Sequence, residues 1–167
     1  MKKSILLLFL LCACANVKDI KPDHAEEPEY LVIADLYVGF NERRNREALR
    51  KFLGVDPVNY EWCAAFVNSA LRARGIPGSE SVSENPLLAR SFLDWGEEVE
   101  EPQIGDIIVF PRGSSGWQGH VGFYFLTAVV DGVEYYAILG GNQNDEVSYE
   151  LYPSSAAIGI RRPKVYQ

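Results

Sequence analysis

Residues 121–139 read VGFYFLTAVVDGVEYYAIL, and the fold turns on this stretch. Val121 to Val130 and Val133 to Leu139 are rich in β-branched and aromatic side chains, which suit an extended, half-buried backbone. Asp131-Gly132 between them is a tight-hairpin dipeptide, since both positions of such a turn need a left-handed conformation that Asp tolerates and Gly adopts freely. An antiparallel hairpin is expected, with Val130 opposite Val133. Upstream, Asp106 to Phe110 is a short apolar run expected as a buried strand. Downstream, Val147 to Tyr152 and Ile158 to Arg162 are expected to extend the sheet.

The first half follows a different period. Tyr30-Leu31, Ile33-Ala34 and Tyr37-Val38 recur at helical spacing, and Gly39 can end that helix. Asn41 to Leu53 is expected to be helical, with Ala48, Leu49, Phe52 and Leu53 as its apolar stripe. Trp62 to Arg74 forms the next expected helix and stops at Gly75-Ile76-Pro77, and Pro86 to Trp95 another, closed by Gly96. Helices first and an antiparallel sheet afterwards define an α+β domain, expected over 30–167.

Two segments precede it. Lys2 and Lys3 followed by the apolar Ile5 to Leu11 read as an export signal over 1–15, because the apolar run is too short to span a bilayer. Leu11-Cys12-Ala13-Cys14 resembles a bacterial lipobox, which would leave Cys14 as a lipidated N-terminus; Ala13-Cys14-Ala15 also fits an ordinary cleavage site. A cysteine standing where a lipobox needs one favours the first reading. By resemblance to such lipoproteins, the lack of an aspartate after Cys14 suggests the outer membrane, facing the periplasm. Residues 16–29, polar and containing Pro22 and Pro28, are expected to be a flexible tether, with His24 solvated.

The chain has 167 residues, 47% of them hydrophobic, and a formal charge of -7. That composition supports one packed domain, expected as a monomer. An acidic chain gains nothing from releasing phosphate counterions, so nucleic acid is excluded as a partner. No grouping of carboxylates, His and Cys has the spacing of a metal site.

Cys12 would leave with the signal and Cys14 would be removed or lipidated, so Cys63 is the sole thiol of the expected domain, with no disulfide partner. Asn59 is a plausible N-cap and would place Cys63 in the first helical turn, where free backbone N–H groups and the helix dipole favour a thiolate. Glu61 opposes this, and a cysteine within Trp62-Cys63-Ala64-Ala65-Phe66-Val67 equally suits inert packing. His120 is the one histidine outside the tether. It begins a strand after the flexible Gly113-to-Gly119 loop and shares a face with Gly122 and Tyr124, opposite Val121, Phe123 and Phe125. A Cys–His pair is the minimum for nucleophilic catalysis, and a further group usually orients the imidazole. Counting back from Val130 and Val133 puts Gln143 across from His120. A one-residue bulge at Gly140-Gly141 would bring Asn142 there instead, and the register alone leaves both open.

Trp62-Cys63-Ala64-Ala65-Phe66-Val67-Asn68, Ala89 to Gly96, Gly105 to Phe110, Gly119-His120-Val121-Gly122-Phe123 and Leu139-Gly140-Gly141-Asn142-Gln143 occur in that order. This ordered set resembles the NlpC-type and CHAP (cysteine, histidine-dependent amidohydrolase/peptidase) cell-wall hydrolases over roughly Tyr30 to Pro163. The resemblance implies a papain-like fold, with N-terminal helices packed on an antiparallel sheet. It implies cleavage of amide bonds in peptidoglycan stem peptides, by endopeptidase or amidase action and without a cofactor. Cys63 would be the nucleophile, His120 the base and Asn142 the orienting residue. Apart from the resemblance, Trp62, Trp117 and Gln143 are candidate substrate contacts, and in a chain this rich in aromatics Trp62 suits core packing at least as well. Two departures stand out: Ala64-Ala65 where NlpC-type peptidases usually have Ser-Gly, and Gly140 where many CHAP domains have an acidic residue. A non-catalytic wall-binding lipoprotein using the same cleft, or an enzyme acting on proteins or acyl chains, are the competing readings.

Overall fold

The computed structural model describes residues 17–18 and 27–164. The expected signal over 1–15, Cys14, His24 and most of the expected tether over 16–29 lie outside the described residues. In chain order the elements are β1 (Val17–Lys18), α1 (Glu29–Asp35), α2 (Arg46–Leu53), α3 (Cys63–Arg72), β2 (Glu97–Glu98), β3 (Ile107–Pro111), β4 (Gly119–Val130), β5 (Val133–Gln143), β6 (Glu146–Pro153) and β7 (Gly159–Arg162). The expected α+β class is what the chain adopts. Its sheet is antiparallel in the order β2-β7-β3-β4-β5-β6, and β1 pairs with the far end of β4.

The hairpin forms as its turn dictates. Val130 faces Val133, and Asp131 and Gly132 both take positive φ, 50° and 79°, the combination a two-residue hairpin needs. Tight turns fix register at one end only, however, and two irregularities follow. Tyr124 pairs with Ile138 but Leu126 with Ala137, so Phe125 is an extra residue in β4. Gly140 pairs with Ser148 but Gln143 with Glu146, so β5 carries an extra residue at Gly141–Asn142 against β6.

Three helical expectations need correction. The helix expected from Asn41 begins at Arg46, because Asn41 Oδ1 accepts the Arg43 and Arg44 N–H groups at 3.0 and 3.3 Å and folds the chain into a side-chain-held turn that competes with helix. The segment expected as a helix from Pro86 to Trp95 is a 3-10 helix over Ala89–Asp94. Its i to i+3 bonds are set up by the Ser91 hydroxyl on the Leu88 carbonyl (2.7 Å) and by the Trp95 indole anchored to the Pro77 carbonyl (2.9 Å). Asn59 does not cap α3. Its amide binds Asp56 at 3.1 Å, and Trp62 occupies the N-cap position without a side-chain cap bond. Cys63 nonetheless lies in the first turn, as the first helical residue.

Helix α3 is buried from Cys63 through Leu71 and lies against β4 and β5, with α1 and α2 packed on it. Its core partners include Val121, Phe123 and Leu139 on the sheet and Leu31, Leu49 and Leu53 on the helices. The opposite face of the sheet carries a smaller cluster of Ile108, Phe110, Tyr124 and Ile138, bordered by Tyr136 and Tyr152. Asp106 and Arg162 form a two-pronged ion pair at 3.0 and 2.7 Å that ties β7 to the entry of β3. Among the described residues no helix is long and apolar enough to cross a membrane.

Candidate active site

Alternation along β4 creates an apparent conflict. Val121 and Phe123 belong to the core under α3, so His120 points to the other face, where it stacks on Tyr152 at 5.3 Å. A helix on one face and an imidazole on the other are normally separated by the sheet. Here the β4–β5 ladder stops at Phe123 and Leu139. Beyond that point the backbone N–H of Val121 acts on the Cys63 sulfur, as does that of Ala64 in the first turn of α3. Cys63 thus reaches the gap where the two strands part, beside the residue that follows His120.

Two glycines make that approach possible. A Cβ on Gly141 would lie 2.4 Å from Trp62 Cζ3 and 2.8 Å from Phe66 Cβ, so the start of α3 sits directly on the β5 backbone. A Cβ on Gly140 would lie 3.1 Å from His120 Nε2 and from Gln143 Oε1, on the opposite side. The strand is bare on both faces where helix and imidazole come closest.

Gln143, and not Asn142, meets the imidazole. His120 Nε2 lies 3.0 Å from Gln143 Oε1. The Phe125 bulge does shift the register by one and would bring Asn142 across from His120. The second bulge then undoes the effect, because Asn142 sits at φ 60° and turns its amide onto Glu61 Oε2 at 2.7 Å. Gln143 takes the vacated face. Its Nε2 donates to the Ser148 carbonyl at 2.6 Å, and its Oε1 also accepts the Tyr152 hydroxyl at 3.0 Å. With its amide nitrogen so committed, Oε1 must face the ring, so the ring proton belongs on Nε2. Nδ1 is left as a lone pair, buried and without a hydrogen-bond partner among the described residues. No hydrogen bond joins it to Cys63 in this state.

Both reacting candidates are enclosed, Cys63 at 3% and His120 at 2% exposure. Burial pushes the Cys63 thiol up; the Arg112 charge and the Val121 and Ala64 N–H groups oppose this, and Glu61 adds to it. Burial and Arg112 together push the His120 imidazole down to about 4, against the bond from Gln143. The resting pair is therefore a neutral thiol and a neutral imidazole. Arg112, which sequence reading passed over, is the cation felt by Cys63, His120 and Tyr152 alike. Its signal was positional: it is the first residue past β3, whose Phe110 and Pro111 pair with His120 and Gly119. Its guanidinium reaches Glu61 Oε2 at 3.2 Å and the Asn142 carbonyl at 3.4 Å. The Arg112–Glu61 pair is exposed, with side chains 41% and 77% accessible, so it contributes about 0–1 kcal/mol and can exchange readily.

Trp62 is corrected outright as a cleft residue. It is fully buried, its indole donates to Glu42 Oε2 at 3.3 Å, and its ring meets Phe66 edge-on. Trp117 is 62% exposed on the loop before β4 and is free to touch a ligand. That loop is anchored at its far end by Arg90 Nε on the Gln118 carbonyl, 2.8 Å. Among the described residues no group of His, Cys, Asp and Glu is arranged to hold a metal ion.

A CHAP domain matches residues 55–142, just over half of the chain and inclusive of Cys63 and His120. The chain belongs to the CHAP family. CHAP domains are cysteine- and histidine-dependent amidohydrolases and peptidases, and membership supports a peptidoglycan-related amidase or peptidase in general terms. The match ends one residue short of Gln143. Comparison with curated proteins finds no match.

The depressed imidazole has a consequence for pH. The acid limb of kcat/KM reports the base of the free enzyme, so activity is expected to hold well below pH 6.5 and to fall near pH 4, about where the imidazole titrates. The same shift makes the fold acid-sensitive. Between those values the unfolded chain binds a proton that the folded chain refuses, so stability is full above pH 6.5 and declines as pH drops towards 4, by about 3 kcal/mol. Rate profiles and urea midpoints at pH 7 and 4.5 check both; an acid limb at pH 6.5 contradicts the first.

Proposed function

We propose that this CHAP domain hydrolyses an amide bond of peptidoglycan stem peptides, with Cys63 as nucleophile and the Nδ1 of His120 as base. The observation that carries the reading is the single-sided pairing of His120: Nε2 is held by Gln143 while Nδ1 is a buried, unprotonated and unpaired acceptor beside the strand gap that Cys63 enters. The reaction requires the Cys63 thiol to meet that lone pair across the gap. The arrangement is read as papain-like, with the helix that carries the nucleophile laid on the antiparallel sheet.

Nδ1 takes the thiol proton as the sulfur attacks the amide carbonyl carbon, and the developing oxyanion is held by the Cys63 backbone N–H. His120 returns the proton to the leaving amine, and the carbon–nitrogen bond breaks to give a thioester. Water, deprotonated by Nδ1, then attacks the thioester carbonyl; the carboxylic acid leaves and the thiol is restored. Gln143 is a positioning residue that keeps the ring proton on Nε2. Trp117 is the exposed aromatic surface for substrate at the rim.

Digestion of purified sacculi by the full-length protein, followed by mass spectrometry of the soluble products, tests this. One new amine and one new carboxyl terminus per cut, within the stem peptide or at its junction with the glycan, is the expected result. Absence of any product from protein with an intact thiol favours the wall-binding reading, and scission confined to the glycan chain contradicts the proposed chemistry. The reading also places the protein outside the cytoplasm, held at the outer membrane through a lipid on Cys14. Fractionation of a Cys14→Ser chain checks this, because retention in the membrane fraction would sink the anchor.

A further inference from the structure

Glu61 lies two residues before Cys63, and its carboxylate is gripped from two directions. The Asn142 side-chain amide donates to Glu61 Oε2 at 2.7 Å and Arg112 donates to the same oxygen at 3.2 Å. The donors are built into the framework. Asn142 holds a left-handed backbone at φ 60° that aims its amide towards Glu61 rather than His120, and Arg112 is braced by the Asn142 carbonyl at 3.4 Å. The acceptor is not: the Glu61 side chain is 77% accessible. A charged and an amide donor converging on one carboxylate oxygen, beside a buried thiol and imidazole, is more than an isolated surface ion pair requires.

We propose that Arg112 and the Asn142 side-chain amide form a carboxylate subsite, filled in the free protein by Glu61, and that the substrate carries a free carboxylate close to the amide to be cut. The inference rests on the amide-hydrolysis reading above and narrows its substrate to an acidic peptide. Exchanging Glu61 for a substrate carboxylate keeps the same donors in use, so the swap costs few hydrogen bonds. In a chain of net charge -7, a fixed cation at this point gives an acidic ligand a local reason to dock where the overall field repels it.

The test is a binding experiment, so that it does not depend on turnover. Full-length Cys63→Ala protein is titrated calorimetrically with a muropeptide bearing free stem carboxylates and with the same muropeptide after amidation. The free acid is expected to bind about tenfold or more tightly, the range of a charge-assisted hydrogen bond. Arg112→Gln in that background should erase the preference, Arg112→Lys should keep part of it, and Glu61→Gln should tighten the free acid severalfold by removing its internal competitor. Equal binding of both forms, no binding of either, or a preference that survives Arg112→Gln overturns the subsite. Hydrolysis by the wild-type protein is scored separately. Cleavage without the binding preference removes the subsite alone, whereas the preference without cleavage leaves the subsite standing and removes the reaction.

Discussion

Cys63→Ala is expected to stop the release of soluble peptide from purified sacculi, a loss of about 10⁴-fold or more in rate, since nothing else in the site can form the acyl intermediate. The fold should survive. Alanine is the best helix former, the position is the first residue of α3, and Ala64 and Ala65 already follow it in a buried turn. Losing one sulfur from the core leaves a small void, worth about 1 kcal/mol, which in a domain of this size moves the thermal midpoint by about 4 °C or less. Circular dichroism melting beside the digestion assay separates the two effects. His120→Ala should be as inactive but less stable, because it also empties the space between Tyr152 and Gln143. Undiminished digestion by Cys63→Ala would remove the nucleophile from the proposal altogether.

Legibility in the sequence followed the range of each interaction. The Asp131-Gly132 turn is a local device, and the hairpin it implies is present with Val130 opposite Val133. The position of Cys63 in the first turn of α3 was also legible, although the residue chosen to cap that helix was not, because Asn59 is drawn to Asp56 instead. Strand alternation correctly set His120 against the α3 face, but it carries no information on where a ladder ends. That ending, after Phe123 and Leu139, is what lets a helix on one face share a gap with an imidazole on the other. The bulge weighed at Gly140-Gly141, and left open by the register, has a counterpart at Gly141–Asn142 against β6, whereas the bulge facing β4 falls at Phe125. Nothing in an apolar strand marks the residue that will be squeezed out. Trp62 stayed open between cleft and core for the opposite reason: a tryptophan beside a candidate nucleophile suits either, and only the distant Glu42 and Gly141 reveal that it is buried. Arg112 and Tyr152 enter the site through contacts tens of residues apart in sequence, where periodicity is silent, and the contacts of Arg112 and Asn142 with Glu61 are as distant, although Glu61 itself was legible as a charge beside Cys63.

Gln143→Leu is expected to cost more than any other change at the site that spares both reacting residues. Leucine fills similar space but accepts nothing from His120 Nε2 or the Tyr152 hydroxyl and gives nothing to the Ser148 carbonyl. Stranding these buried groups should destabilise the fold by about 3 kcal/mol or more. Without its acceptor the ring proton is free to move to Nδ1, the atom that must take the thiol proton, and kcat should fall about 100-fold or more. Gln143→Glu supplies a readout that a merely structural role would not move. A carboxylate accepts the Nε2–H and favours the charged ring, so the acid limb should rise from about 4 towards neutrality. Asn142→Ala should behave differently, raising KM through the lost amide contact with the substrate carboxylate while leaving the acid limb in place. Steady-state kinetics across pH on the two variants therefore weigh the family resemblance, which pointed to Asn142, against the geometry, which points to Gln143. A collapse of kcat in Asn142→Ala with Gln143→Leu still turning over would reverse that assignment.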